Sequence, residues 1–259
     1  MQLNFQRYSE TGPPLLVLHG LFGSLSNWGN ISRQLATDFQ VIGVDLRNHG
    51  ASPHTEEMNY PAMASDVEQL LDQLGLQHCK LLGHSMGGKV AMELALSRPQ
   101  LVDSLVVIDI SPVAYAGGGD GHRGIIDAME SLSLGDIKNR NEADRLLAPG
   151  IEDNVVRQFI LTNLARNPEG GYRWRLNLAA IKGHYGKLRE QPVAAGPYEG
   201  PVLFIRGANS DYIQDSHQEQ IHKLFPNAQM KTVMDAGHWV HAEQPEVLLN
   251  LVREFLVSH

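Results

Sequence analysis

The chain has 259 residues, a formal net charge of -8 and 19% charged residues, a length that suits one domain with a sizeable core. The acidic balance argues against binding to nucleic acid and to anionic membranes. The single cysteine, Cys79, excludes an intrachain disulfide. The N-terminus has no signal-peptide pattern, and no apolar run reaches the ~20 residues of a membrane helix. We therefore predict a cytoplasmic protein without membrane insertion.

Short apolar runs alternate with segments of helical periodicity. This pattern predicts an α/β fold with a mostly parallel central sheet flanked by helices. The predicted strands are residues 15–18, 39–46, 80–82, 101–110, 202–205 and 229–234. The predicted helices outside the middle of the chain are residues 60–74, 87–97 and 245–257. Gly75 is a predicted stop signal for the first of these helices.

The pattern changes in the middle of the chain. The glycine run 117–119 is typical of a loop. Helix-like stretches follow without a convincing strand, at residues 124–134, 142–147, 154–163 and 176–183. We therefore predict a helical insertion at residues 112–197 within a core formed by residues 1–111 and 198–259.

A strand, a tight turn and a helix are predicted around Ser85. Gly83 and Gly87 lie two residues before and two residues after this serine, in the pattern G-x-S-x-G. Such a turn is strained and admits only small neighbours, and it exposes the serine beside a helix N-terminus. We therefore predict that Ser85 is a nucleophile.

A serine hydroxyl needs a base to remove its proton, and in folds with this turn the chain order is serine, acid, histidine. His238 lies between a predicted strand and the last helix, where such sheets place their sites. His241, three residues later, is the alternative base. Asp109 ends one predicted strand and Asp211 follows another. Either could orient the histidine, and the residues alone leave this choice open.

Acyl transfer places negative charge on a carbonyl oxygen, which two backbone N–H groups can stabilise. Met86, directly after the predicted nucleophile, is expected to supply one of them. The other is expected from Leu21 or Phe22, in the loop after the first apolar strand. Gly20 and Gly23 allow that loop a tight path.

Together these motifs resemble the α/β-hydrolase superfamily over nearly the whole chain, and within it the bacterial YbfF-type esterases. The specific matches are residues 83–89, 109–113, 206–210 and 237–243. Most superfamily members carry the acid at the position of Ser210, whereas the YbfF-type esterases take it from the end of the earlier strand. The resemblance thus favours Asp109 over Asp211, and it implies that the insertion is a helical cap over Ser85.

The resemblance also implies a serine esterase or thioesterase that hydrolyses short- to medium-chain acyl esters, and acyl-CoA, through an acyl-enzyme. It implies no metal and no organic cofactor. His122 and Arg123 are candidates to contact a carboxylate or phosphate of the substrate, with a solvated surface as the alternative. Trp239 is a candidate to line the acyl pocket, with core packing as the alternative.

Two alternative functions are compatible with the same residues. One is a carbon–carbon bond hydrolase or lyase on the same scaffold, and the other is a non-catalytic binding module. The oligomeric state is left open.

Overall fold

The fold is built on one central sheet. The computed structural model describes residues 1–115, 121–193 and 196–259, so the glycine run 117–119 lies outside the described residues. Seven strands form the sheet in the order β1-β3-β2-β4-β5-β8-β9. The strands are β1 (Phe5–Arg7), β2 (Pro14–Leu18), β3 (Gln40–Val44), β4 (Cys79–His84), β5 (Val102–Ile108), β6 (Leu164–Arg166), β7 (Tyr172–Trp174), β8 (Val202–Gly207) and β9 (Ala228–Val233). Strand β1 pairs antiparallel with β3, and the other neighbours in the sheet are parallel.

Helices cover the sheet and form the insertion. They are α1 (Gly29–Leu35), α2 (Tyr60–Leu74), α3 (Met86–Ser97), α4 (Gly121–Glu130), α5 (Arg140–Leu147), α6 (Asn154–Leu161), α7 (Leu178–Leu188), α8 (Gln218–Leu224), α9 (Val240–Glu243) and α10 (Pro245–Ser258). The six predicted strands and the three predicted core helices are present. The short elements β1, α1, α8 and α9 had no sequence prediction, because three to seven residues give little periodicity. Among the described residues, no helix is both long enough and apolar enough to cross a membrane.

Both faces of the sheet are buried, which explains why its strands have few polar interruptions. In β2, Leu16 and Leu18 pack with α2 and α3. Leu15 and Val17, which point the other way, pack with α1 and α10. The parallel strands therefore end at a common edge between two helical layers, and the candidate site lies at that edge.

Helix α2 begins and ends at the signals in its sequence. Asn59 precedes it, and its side-chain oxygen accepts a hydrogen bond from the N–H of Ala62. Gly75 follows with φ of 69°, and the N–H of Leu76 donates to the carbonyl of Leu71. A left-handed glycine of this kind stops a helix at little steric cost.

The insertion contains helices α4 to α7, all between β5 and β8. The expectation that it holds no strand was wrong. Strands β6 and β7 form an antiparallel hairpin, with Leu164 opposite Trp174. Each strand has three residues, too few for alternation to stand out. The turn between them uses Gly170 and Gly171, at φ of 112° and 70°, values that glycine adopts readily.

Candidate active site

Ser85 occupies the sharp turn between β4 and α3. Its φ is 52° and its ψ is -119°, a conformation that a non-glycine residue keeps only when the surroundings enforce it. A Cβ on Gly83 would lie 2.4 Å from the carbonyl oxygen of Gly87, and one on Gly87 would lie 2.5 Å from that of Leu18. The glycines of the motif therefore let the turn pack against itself and against β2.

A continuous hydrogen-bonded chain leads from Ser85 to Asp109. Nε2 of His238 lies 3.0 Å from Oγ of Ser85, and Nδ1 of His238 lies 2.7 Å from Oδ2 of Asp109. A carboxylate only accepts hydrogen bonds, so Nδ1 carries the proton. Nε2 then presents its lone pair to the serine hydroxyl. The three residues come from the ends of β4, β5 and β9, which the parallel sheet brings to one edge.

Asp109 is fully buried, with 0% exposure, and its carboxylate accepts several hydrogen bonds. The N–H of Gly207 donates to Oδ1 at 3.0 Å. The hydroxyl of Ser210 donates to Oδ2, which also faces His238. A buried carboxylate needs such partners to offset its lost hydration. The residue itself turns the chain at the end of β5, with φ of 51°.

The role of Ser210 was missed in the sequence. The resemblance marked its position as the place where most relatives carry their acid, and that was the available signal. In this chain the serine donates to the carboxylate of Asp109, which follows the neighbouring strand β5. The carboxylate at this edge of the sheet therefore follows β5, and the residue that follows β8 is a hydrogen-bond donor to it.

The two alternative residues lie apart from this hydrogen-bonded chain. Asp211 is exposed, and within the described residues its side chain forms no hydrogen bond to His238. His241 stacks on Trp28, with ring centroids 4.4 Å apart. Its Nδ1 is buried without a hydrogen-bond partner in the described part of the chain. The geometry therefore favours His238 and Asp109 over His241 and Asp211.

The loop after β2 presents a free N–H beside the serine turn. The N–H of Phe22 donates to Nε2 of His49 at 3.3 Å, and Nδ2 of Asn163 donates to the carbonyl of Phe22 at 2.7 Å. Within the described residues, the N–H groups of Leu21 and Met86 have no acceptor. Of the two loop candidates, Leu21 is therefore the one with an N–H available for a substrate oxygen.

Buried histidines surround the site, and their surroundings keep them neutral. Burial, with His238 and His241 nearby, lowers the pKa of His84 well below its usual value. Burial and then His19 lower the pKa of His49 to about 3, and burial and then His238 lower the pKa of His241 to about 4. A neutral ring can accept a hydrogen bond, as His49 does from Phe22.

A cavity of about 580 Å³ opens over Ser85 between the sheet edge and the insertion. This volume suits a small-molecule ligand. The apolar residues that the insertion contributes to its lining are Ile125, Val156, Phe159, Ile160 and Leu188. On the core side, Tyr212 stacks on the ring of His238 with centroids 4.0 Å apart. Apolar walls that meet at a serine would accommodate a hydrocarbon chain.

Two of the three residues predicted to contact the substrate line the cavity, and the third does not. Trp239 lines the cavity, and its ring lies 6.1 Å from that of Phe159. His122 also lines it, but burial lowers its pKa to about 4, so the ring is neutral at neutral pH. Arg123 is exposed, is absent from the lining, and holds its guanidinium 5.9 Å from the ring centre of Tyr185. Neither His122 nor Arg123 therefore places a cation in the cavity.

Comparison with known proteins identifies the family of the chain. Residues 13–118 match the family described as alpha/beta hydrolase fold. The chain is 45% identical to the mouse sn-1-specific diacylglycerol lipase ABHD11, over 95% of this chain and 81% of the relative. The chain belongs to the α/β-hydrolase family. It is also 36% identical to the esterase YbfF of Escherichia coli, over 99% of each chain.

A solved structure supports the same α/β-hydrolase assignment. The structure, described as a marine microorganism esterase, has a TM-score of 0.96 and 37% identity, covering 98% of this chain and 99% of that chain. The predicted fold class and the predicted resemblance are confirmed.

Proposed function

We propose that this α/β-hydrolase is a carboxylic ester hydrolase in which Ser85, His238 and Asp109 form a catalytic triad. The proposal rests on the hydrogen-bonded chain from Oγ of Ser85 through both ring nitrogens of His238 to Asp109. Similarity to proteins named as esterases and as a lipase supports the ester-hydrolase class.

The proposed reaction proceeds through an acyl-enzyme. Oγ of Ser85 attacks the ester carbonyl while Nε2 of His238 takes its proton. The N–H groups of Met86 and Leu21 stabilise the oxyanion. The imidazolium returns its proton to the leaving group as the bond to that group breaks. The same nitrogen then deprotonates a water molecule that attacks the acyl carbonyl. It returns that proton to Oγ of Ser85 as the bond between the acyl group and Oγ breaks, which releases the carboxylic acid and free Ser85.

We further propose that the substrates are short- to medium-chain acyl esters, with acyl-CoA thioesters as a second class. The cavity of about 580 Å³ and its apolar lining support an acyl group as the part of the substrate bound above Ser85. In this proposal, Phe159 and Trp239 contact the acyl chain and limit its length.

Hydrolysis of a panel of p-nitrophenyl esters and acyl-CoAs tests the triad. Asp109→Asn leaves the size of the side chain almost unchanged but replaces Oδ2 with an NH2 group, which cannot accept the proton of Nδ1 that fixes the tautomer of His238. We expect kcat to fall by about 10⁴. Asp211→Asn is the matched control, since the same change is made on an exposed aspartate, and we expect near wild-type rates. The opposite pair of results would show that the acid is Asp211.

Labelling with a fluorophosphonate separates this proposal from a non-catalytic binding module. The probe forms a covalent bond with an activated serine, so folded wild-type protein should be labelled at Ser85 and Ser85→Ala should not. An unlabelled, folded wild type would contradict the proposal. Labelling without hydrolysis of any ester would favour the carbon–carbon bond hydrolase or lyase.

A further inference from the structure

A second cavity, of about 950 Å³, shares no lining residue with the cavity over Ser85. It lies where the segment after β3 meets the start of α5 and the β6–β7 hairpin. We call it the arginine groove, because its lining includes Arg140, Arg166, Arg173 and Arg175, together with His54. The core and the insertion both contribute walls to this groove.

The hairpin and the residue after it contribute three of the four arginines that line the groove. Tyr172 and Trp174 are buried, whereas Arg173 and Arg175, which alternate with them, are exposed. Arg166 lies opposite Tyr172 in the register, and its guanidinium lies 4.7 Å from the centre of that ring. Cation–π contact of this kind positions a guanidinium without using its N–H donors.

Two further contacts order the groove. Nη2 of Arg140 donates to the carbonyl of Leu164 at 3.2 Å, which ties the start of α5 to the hairpin. Nε2 of His54 lies 3.1 Å from the carbonyl of Arg175, which ties the core segment to the hairpin. A guanidinium has five N–H donors, so Arg140 keeps donors for a ligand after this contact.

The arginines of the groove form no ion pair with a carboxylate in the part of the chain that the structure describes. Other arginines, such as Arg7, Arg98 and Arg253, do pair with carboxylates. Within residues 1–115, 121–193 and 196–259, none of the four groove arginines forms an ion pair, and no Asp or Glu lines the groove. This occurs in a chain with 29 acidic and 21 basic residues. A cavity lined by one sign of charge concentrates ions of the opposite sign.

Both walls of the groove continue into the residues that hold the loop after β2. Asn163, which donates to the carbonyl of Phe22, directly precedes the groove residue Leu164. His49, which accepts from the N–H of Phe22, directly precedes the groove residue Gly50. A ligand that touches Leu164 and Gly50 would therefore contact the sequence neighbours of Asn163 and His49.

The charge of the groove indicates the class of ligand. Guanidinium groups pair in a bidentate manner with phosphate and carboxylate oxygens. A single phosphate monoester carries a charge of about -1.5 to -2. This charge is smaller than the total positive charge of the four guanidinium groups. We propose that the arginine groove binds a ligand with two or more phosphate groups. The ligand is either a soluble polyphosphate compound or a lipid headgroup.

Isothermal titration calorimetry with tripolyphosphate tests the proposal at near-physiological salt, about 150 mM, where weak surface attraction is screened. The test variant is Arg166→Gln/Arg173→Gln, and the control is Arg33→Gln, an exposed arginine of α1 outside the groove. We expect the double variant to bind at least about tenfold more weakly than wild type. Arg33→Gln should stay within about twofold, since its effect on the field at the groove is only long-range.

Four results would overturn the proposal. They are no detectable heat with wild type, equal weakening in Arg33→Gln, binding of inorganic phosphate as tight as that of tripolyphosphate, and binding of citrate as tight as that of tripolyphosphate. Hydrolysis of a neutral p-nitrophenyl ester checks that the double variant is folded. Arg166→Lys/Arg173→Lys keeps the charge but loses the bidentate fork, and should bind with intermediate affinity.

Vesicle sedimentation separates the two sources of phosphate. Phosphatidylcholine vesicles with and without cardiolipin, which has two phosphate groups, are mixed with wild type and with Arg166→Gln/Arg173→Gln. Sedimentation that needs both cardiolipin and the arginines supports a lipid headgroup. Tripolyphosphate binding without such sedimentation supports a soluble ligand. Because neither assay measures ester hydrolysis, failure here is distinct from failure of the proposed triad.

Discussion

At the scale of single residues, the candidate site depends on how the carboxylate of Asp109 is held. It is fully buried and accepts hydrogen bonds from Gly207, Ser210 and His238. A hydrogen bond to a charged group contributes about 1.5–3 kcal/mol. The hydroxyl of Ser210 shares Oδ2 with His238, so it fixes the oxygen that orients the imidazole.

Ser210→Ala should therefore slow ester hydrolysis without abolishing it. We expect kcat/KM to fall about tenfold, which corresponds to about 1.4 kcal/mol of transition-state stabilisation. Ser210→Thr keeps the hydroxyl and should lose less activity than the alanine variant. Steady-state kinetics with one p-nitrophenyl ester measure both. A fully active Ser210→Ala would show that the hydroxyl does not position Asp109.

At the scale of elements, the loop between β2 and α1 is held from two sides. Phe22 has φ of 60°, a strained value for an aromatic residue. His49, after β3, accepts from its N–H, and Asn163, between α6 and β6, donates to its carbonyl. These contacts fix the two peptide groups on either side of Phe22, and the first of them adjoins the peptide group that carries the Leu21 N–H. The insertion thus supports the predicted oxyanion loop as well as the cavity wall.

Asn163→Leu should lower kcat more than it changes KM, because the oxyanion exists only in the transition state. We expect a fall in kcat of about tenfold and a loss of stability of about 1–3 kcal/mol, since the carbonyl of Phe22 loses its donor. The control is Asn227→Leu, which removes an amide-to-carbonyl hydrogen bond to Glu199 at the surface. An equal kcat for both variants would contradict the positioning role of Asn163.

At the scale of the whole molecule, buried histidines make the free energy of unfolding depend on pH. The pKa of His49 is lowered to about 3, and the pKa values of His122 and His241 are lowered to about 4, in each case chiefly by burial. In the unfolded chain these rings take up protons near pH 6.5. Below that pH the unfolded state binds more protons than the folded state. The contribution of these histidines to the free energy of unfolding is therefore complete above about pH 6.5, and it is lost as the pH falls towards 4.

Urea unfolding between pH 7.5 and pH 4.5 measures this effect. Each such histidine adds at most about 1.4 kcal/mol per pH unit to the slope. His241→Phe keeps an aromatic ring on Trp28 and removes the buried Nδ1, so its unfolding free energy should fall less steeply with acid. His222→Phe, on the exposed face of α8, is the control and should keep the wild-type slope. Identical slopes for the two variants would contradict the prediction.

The parts of the site that local sterics govern could be predicted from the amino-acid sequence. The turn at Ser85 needs Gly83 and Gly87 because any Cβ there would collide with backbone, and this requirement is visible as a pattern of letters. His238 is similarly marked by its place between a strand and the last helix. The alternation of strands and helices predicted the sheet, because both of its faces are buried.

Features that depend on neighbouring strands and distant segments could not be predicted in this way. Asp109 and Asp211 both follow strands, and the meeting of Asp109 with His238 depends on how β5 lies beside β8. The choice between Leu21 and Phe22 depends on His49, from another loop, which accepts from the N–H of Phe22. The groove arginines come from separate elements, residues 140 and 164–175, so their convergence has no signature in the sequence. Hydrogen bonds and charges of this kind are set by packing across the fold, which periodicity and motif spacing do not encode.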